Sequence, residues 1–343
     1  MAPETSGKKS TVLPVHHKET LPPQQVLDFF KIVFSDELYG THAENLQEII
    51  QSVKSNLFNR EYIAAFDSEL KRSSYCCRWS SSRAVAYSSL FASLPSIKDV
   101  LSCANLDIDQ NLASSLEALS LTKDEHGKSS QNNILCIGGG AGGELIAFAN
   151  LFTLSRDFSS KFKKQTSQTR KTSLYVTVMD IADWSHCISR IDEVIGTHWL
   201  HDERKYFNVN FLNNDVLTMT HDDLKLSQMD LITSLFTTNE LFLENRARAL
   251  RLLQSFNNHC KPGCLLLIVE SAGSFSHITI GTKKFPIQFL IDTVLLGKRG
   301  EEVDGHWDLV SQDDSLWYRV DEKYDYPLKL ENMRFFYRLY RKK

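Results

Sequence analysis

The stretch Asn133-Ile134-Leu135-Cys136-Ile137-Gly138-Gly139-Gly140-Ala141-Gly142-Gly143-Glu144 carries the residue types needed to hold a ligand against the backbone. An apolar run feeds five glycines, and a carboxylate follows where a helix begins. Glycine lets the chain turn tightly and lets a ligand approach without a Cβ in the way. A strand, such a turn and a helix N-terminus form a nucleotide-binding crossover. Downstream, Asp180, Asp215 and the polar run Thr237-Thr238-Asn239-Glu240 supply acceptors that a site could use.

The glycine run fits two ligand templates. Gly138, Gly140 and Gly143 have dinucleotide spacing, while Gly138, Gly140, Gly142 and Glu144 look like the S-adenosylmethionine loop of class I methyltransferases. Asp180 ends an apolar run, where a carboxylate accepts the ribose hydroxyls of either cofactor. Asp215, in Asn214-Asp215-Val216-Leu217, stands where class I methyltransferases commonly receive the adenine amino group, with an apolar neighbour such as Val216 against the ring. Lys261-Pro262-Gly263 before an apolar strand resembles the turn that precedes their fifth strand. The order of these elements points to S-adenosylmethionine over a nicotinamide or flavin. Plainer readings compete: Asp180 and Asp215 as helix caps, Lys261-Pro262-Gly263 as an ordinary turn. The methionine carboxylate needs a cation or a helix N-terminus. Arg78 and Arg83 are the candidates, against a reading as surface arginines beside a buried tryptophan.

Alternating strand and helix patterns after residue 133 predict a mainly parallel α/β sheet with helices on both faces. The expected strands are Ile134–Ile137, Leu174–Met179, Asn208–Leu212, Met229–Leu235 and Cys264–Val269, with Met333–Tyr340 closing the sheet. A helix of about Asn239 to Phe256 joins the fourth and fifth. Residues 271–330 show no clear pattern. Ahead of the sheet, residues 24–121 carry apolar residues at helical spacing and read as an N-terminal helical extension or cap. Residues 1–23 read as a disordered tail, and 122–132 as a polar linker. The domain that carries the chemistry is then 133–343, with a basic insertion at 156–172. Gly138 and Asp180 are 42 positions apart, against about 20 for a short crossover. Five cations between Lys161 and Lys171 suit a phosphate backbone without reading its sequence; a solvated insertion is the alternative.

The chain has 343 residues, is 42% hydrophobic and 24% charged, and has a net charge of −3. That is ordinary for a globular protein and excludes a polycation, so nucleic-acid contact must come from local patches. Seven cysteines without a spaced framework suit free thiols in a reducing compartment. Neither a secretory signal nor a membrane span is expected.

The polar run after the fourth strand is where many class I enzymes read their acceptor. It lacks the Asn-Pro-Pro-Tyr motif of amino-group methyltransferases, and no cysteine suits pyrimidine C5 chemistry. Asn239 could pair with an imide or amide edge and Glu240 could accept a proton. Helix capping by Thr238 or Asn239, with Glu240 at the positive helix end, competes with that reading.

Residues 134–144, the upstream Arg78-Trp79-Ser80-Ser81-Ser82-Arg83 and the final aromatic-basic strand together resemble the fungal ribosomal RNA uridine-N3 methyltransferases of the large subunit. The resemblance covers about residue 25 to the end. It implies a class I Rossmann-like fold, S-adenosylmethionine as cofactor, no metal, and methylation of one 25S rRNA uridine at N3. Gly138, Gly140, Gly142, Glu144, Asp180, Asn214, Asp215, Val216 and Arg83 would then hold the cofactor, and Asn239 and Glu240 would act on the base. The imide nitrogen is a poor nucleophile until deprotonated, which gives Glu240 its role as base. A paired uridine must leave its stack, so loop RNA or a pre-ribosomal particle is the expected partner. A monomer in the nucleus, nucleolus and cytoplasm, without membrane attachment, is expected. The alternatives are another RNA base, a protein or a metabolite as acceptor, or a non-catalytic ribosome assembly factor.

Overall fold

The computed structural model describes residues 11–102, 131–156, 172–273, 277–280, 283–297 and 305–343. Strand β1 (Gln131–Ile137) is buried from Ile134 to Ile137, as a central parallel strand covered on both faces must be. Beside it lies β2 (Ser173–Asp180), and beyond that β3 (Phe207–Asn213). On the other side are β4 (Leu231–Leu235) and β5 (Leu265–Ser271), all parallel. A short hairpin, β6 (His277–Ile280) and β7 (Lys283–Pro286), stands apart. Two further strands, β8 (Trp307–Tyr318) and β9 (Met333–Lys342), are antiparallel, giving the order β3-β2-β1-β4-β5-β9-β8. The chain winds outward from β1 to β3 and then restarts at β4. In such sheets the crevice beyond the carboxyl ends, at this reversal, receives ligands.

The N-terminal part contains α1 (Pro23–Val33), α2 (Ser35–Tyr39), α3 (Leu46–Phe58), α4 (Tyr62–Ala65), α5 (Glu69–Tyr75), a π-helical turn at Cys76–Ser80, α6 (Ser81–Ala92) and α7 (Pro95–Ser102). Helix α8 (Gly143–Ser155) follows β1, α9 (Ser185–Val194) follows β2, α10 (Thr238–His259) follows β4, and α11 (Ile287–Leu296) precedes β8. Helix α6 is buried nearly all round because it lies between α1 and α8. Phe91 stacks on Phe148 there at 5.0 Å, and α1, α6, α8 and one sheet face share a single apolar cluster. Helices α10 and α11 cover the opposite face through Leu252, Phe256 and Ile291.

A partly buried ion pair ties the first helices to α9. Arg190 of α9 donates through both terminal nitrogens to Glu37 of α2, at 2.6 and 2.9 Å. Removing one partner of such a pair typically costs about 3–5 kcal/mol.

Several expectations are corrected. Residues 11–23 are ordered rather than a loose tail: Val12 bridges Trp317, Ser89 donates to the Pro14 carbonyl, and Tyr318 donates to that of Val15. These contacts join residues about 75 to 305 positions apart, which local composition does not reveal. Strand β1 begins at Gln131, inside the expected linker; the rest of that linker and residues 157–171 of the basic insertion lie outside the described residues. Helix α10 breaks at Asn245 (φ −154°, ψ 96°), whose side chain accepts from the Arg248 amide and starts the second half afresh. Among the described residues, no helix is long and apolar enough to cross a membrane.

Candidate active site at the carboxyl edge of the sheet

The glycine loop bends where the sequence requires. Gly138 has φ +72° and Gly142 φ +75°, a left-handed region that strains other residues. Amides of Gly138 and Gly139 donate to the Met179 carbonyl at 2.8 and 3.3 Å, which pins the turn against β2. The space over two glycines is filled by the chain's own side chains, which corrects the expectation of a loop left open to a ligand. A Cβ at Gly138 would lie 2.2 Å from Thr237 Oγ1, and one at Gly140 2.1 Å from the Trp184 ring. At Gly142 it would meet Ile191 at 2.3 Å, so that glycine serves helix packing.

Glu144 turns inward, a second correction. It is 3% exposed and accepts a 2.5 Å hydrogen bond from Thr233 of β4. Burial pushes its carboxyl up to about 7, with the Thr233 hydrogen bond opposing. It fastens α8 to the sheet instead of facing a ligand.

On the β2–β3 half, Asp180 accepts from the backbone amides of Gly140 and Ala182, each at 3.1 Å. Burial raises its pKa, with those amides opposing. Asn214 donates its amide to the Asp180 carbonyl at 2.9 Å. Asp215 accepts from the Leu217 amide at 2.9 Å, making the turn that its capping alternative anticipates. Val216 is buried in the α10 face of the core. The site thus brings Asp180 and Gly140 into direct contact, with Asn214 beside them and Asp215 one turn further out.

The β4–β5 half gathers a different set. Phe236, at φ +58°, holds its backbone in the left-handed region, where a non-glycine residue costs about 1–3 kcal/mol. Its amide donates to the Val269 carbonyl at 2.8 Å, and Thr238 shares a 2.9 Å hydrogen bond with Ser234. This bend delivers Asn239 and Glu240 to the sheet edge. The Asn239 amide donates to Glu270 Oε2 at 3.0 Å, and its side chain bonds the same carboxylate. Asn239 therefore fixes Glu270. Burial, then the neighbouring Glu270 charge, pushes Glu240 up to about 8. Burial likewise brings Glu270 to about 7, with its hydrogen bonds from Asn239 and Ser271 opposing.

Arg83, from α6, faces this pair. Its guanidinium donates to the Tyr75 hydroxyl at 2.5 Å and lies 5.2 Å over the Phe236 ring. Burial opposes its charge, but Tyr75, Tyr87 and Glu240 hold its pKa above the ordinary value. Arg78 instead donates to Glu331 and to the Lys329 carbonyl, so it is tied to the segment before β9. Sequence reasoning missed Glu270, Trp184 and Tyr75. Glu270 had one visible signal: it is the first charged residue after the apolar run of β5. Trp184 and Tyr75 are drawn together with Phe66 by long-range packing alone, with ring centroids 5.0–5.9 Å apart.

Three carboxylates, Asp180, Glu240 and Glu270, thus share a crevice in which Arg83 acts on two of them. Burial raises the pKa of all three, and Arg83 is the guanidinium that opposes this at Glu240 and Glu270. An adenosyl sulfonium, a cation with hydroxyls and an amine to donate, fits that set. Among the described residues no group of side chains suits a metal ion.

The chain is similar to a Saccharomyces cerevisiae protein named 25S rRNA (uridine(2843)-N(3))-methyltransferase, with 51% identity over 97% of this chain and 89% of the relative. Among solved structures, the N-methyltransferase NodS from Bradyrhizobium japonicum WM9 aligns at 13% identity, covering 69% of this chain and 98% of its own, with a TM-score of 0.34. The glycopeptide N-methyltransferase MtfA, complexed with S-adenosylmethionine, aligns at 10% identity over 68% and 93%, with a TM-score of 0.34. The profile of one family, described as Putative SAM-dependent methyltransferase, matches residues 30–341. With the glycine turn, the seven-stranded order and the acid-lined crevice in place, that match settles the assignment: the chain belongs to this S-adenosylmethionine-dependent methyltransferase family.

Proposed function

We propose that this enzyme methylates N3 of a uridine in large-subunit (25S) ribosomal RNA. One observation carries the substrate: 51% identity, over 97% of the chain, to a yeast protein named for that reaction. When bound, S-adenosylmethionine supplies an electrophilic methyl on a cationic sulfur. The chain's own residues then have two tasks, holding charge and moving one proton.

Glu240 takes the N3 proton. A carboxyl near 8 is a stronger base than an ordinary carboxyl group and lies closer to a weakly acidic imide. Each pKa unit by which N3–H exceeds that of its acceptor costs about 1.4 kcal/mol. Arg83 keeps the ionised form of Glu240 accessible, and Asn239 fixes Glu270 so that its charge stays beside Glu240. Asp180, held by two backbone amides, receives the ribose hydroxyls, with Gly138, Gly140, Asn214, Asp215 and Val216 lining the adenosine side. Trp184 and Thr237 must swing from the glycine loop or pack along the ligand.

An exposed loop uridine or a pre-ribosomal particle is the substrate this reading favours, because unstacking costs a few kcal/mol. The enzyme would then work as a monomer in the nucleus, nucleolus and cytoplasm. Mass spectrometry of rRNA nucleosides from cells lacking the gene tests the proposal. Loss of one 3-methyluridine is expected; an unchanged 3-methyluridine content would overturn it.

A further inference from the structure

A second recess opens on the same edge, and Asp180, Glu240 and Glu270 are not among its lining residues. It is a cavity of about 270 Å³ with Trp79, Tyr75, Arg83, Arg78, Lys54 and Glu331 among its lining residues. Its place follows from the sheet. Strand β9 runs antiparallel to β5, with Phe335 opposite Ser271, so residues 329–331 lie beyond the carboxyl end of β5. The cavity therefore borders the β5–β9 end of the edge, and one of its walls, Tyr75, packs on Trp184 beside the glycine loop. Its volume falls just below the range of about 300–1,000 Å³ typical for drug-sized ligands, which suits one nucleotide.

The walls have the chemistry of single-stranded RNA recognition. Trp79 and Tyr75 meet at 4.9 Å with a 34° tilt, forming an aromatic side. Arg78 lies 5.4 Å from the Trp79 ring and is held by Glu331 and the Lys329 carbonyl. Lys54, exposed on α3, adds a cation at the rim. The π-helical turn at Cys76–Ser80 presents Arg78 and Trp79 together, and such turns are frequent at functional sites. The Tyr75–Arg83 pair is shared between cavity and crevice: it lines the cavity, and the Arg83 charge also acts on Glu240. Glu240 is not among the lining residues, so a base in this cavity meets Arg83 and stands beside the base that reacts.

We propose that this cavity receives a nucleotide flanking the acceptor uridine, its base stacked on Trp79 and its phosphate drawn to Lys54 and Arg78. This subsite rests on the reading of the enzyme as an RNA methyltransferase. It would anchor the strand while the neighbouring base reaches Glu240. Base–aromatic stacking is sequence-tolerant, so the subsite adds grip more than selectivity.

The test is anisotropy of a fluorescein-labelled oligouridylate titrated with full-length protein, with calorimetry of S-adenosylmethionine as a control. Trp79→Ala should weaken RNA binding about tenfold, Trp79→Phe should restore most of it, and donor affinity should stay unchanged in both. In methyl transfer to unmodified rRNA the loss should fall on KM. Lys54→Ala should weaken binding less and reduce its salt dependence by about one phosphate contact. Equal RNA binding by Trp79→Ala and the wild type, with methylation intact, would overturn the subsite and leave the activity standing. A wild type that binds the donor but neither binds nor methylates RNA would overturn both.

Discussion

The two halves of the carboxyl edge use the same residue type for different work. On the β2–β3 side, Asp180 accepts from the amides of Ala182 and of Gly140 in the glycine loop, and Asp215 from that of Leu217, at 2.9–3.1 Å. Those donors fix where the carboxylates point, as suits groups that hold a ligand. On the β4–β5 side, Glu240 stands beside another carboxylate and one guanidinium, and burial takes it to about 8. Amides immobilise an acid, whereas a like charge and a dry surrounding tune its proton affinity. On the proposed reading, one half binds the donor and the other moves the proton.

The largest test of that division is Glu240→Gln. Loss of a positioned general base should lower single-turnover methylation by about 10²–10⁴-fold, with S-adenosylmethionine affinity within a few-fold of normal. An unchanged rate would move the proton elsewhere. Next comes the pH profile. The base works ionised, so the wild-type rate should rise about tenfold per pH unit below the ionisation near 8 and level above it. Bound sulfonium should shift that bend to lower pH; a flat profile from pH 6 to 9 would contradict the assignment.

Asp180→Ala should do the reverse of Glu240→Gln. Donor affinity should fall about tenfold or more, stability should drop by about 1–3 kcal/mol as two amides lose their acceptor, and kcat at saturating donor should hold. Equal losses in both variants would erase the distinction between the halves. A smaller effect is expected in stability against pH. Glu144, Glu240 and Glu270 have folded pKa values of about 7 to 8, above the ordinary 4.5. Between about 4.5 and 8 the folded chain therefore holds more protons than the unfolded one, so stability should decline as pH rises through that window. Urea midpoints should show this, and Glu240→Gln should flatten it.

Much of the sheet was legible because local pattern decides it. Ile134–Ile137 and Leu265–Val269 are too short and too apolar for surface helices, and each is bounded by glycine turns or polar residues. Helix α6 was legible only in part, since it is buried on every side and its periodicity is weak. Strand β8 was not legible: an edge strand with register shifts carries the polar Ser311-Gln312-Asp313-Asp314-Ser315. The ordered segment 11–22 was likewise hidden, because its partners are Trp317, Tyr318 and Ser89, far away in sequence.

The site divides along the same line. Gly138 and Gly142 were readable because left-handed turns select glycine whatever surrounds them, and Asp180 because it ends an apolar strand. The inward turn of Glu144, the grip of Asn239 on Glu270, and the contact of Arg83 with Tyr75 appear only once the chain has folded. Sequence alone settled the glycine turn and the five parallel strands, since these follow from short-range sterics and apolar periodicity. Proton affinity depends on burial and on charges brought together from distant segments, and only the tertiary structure determines those.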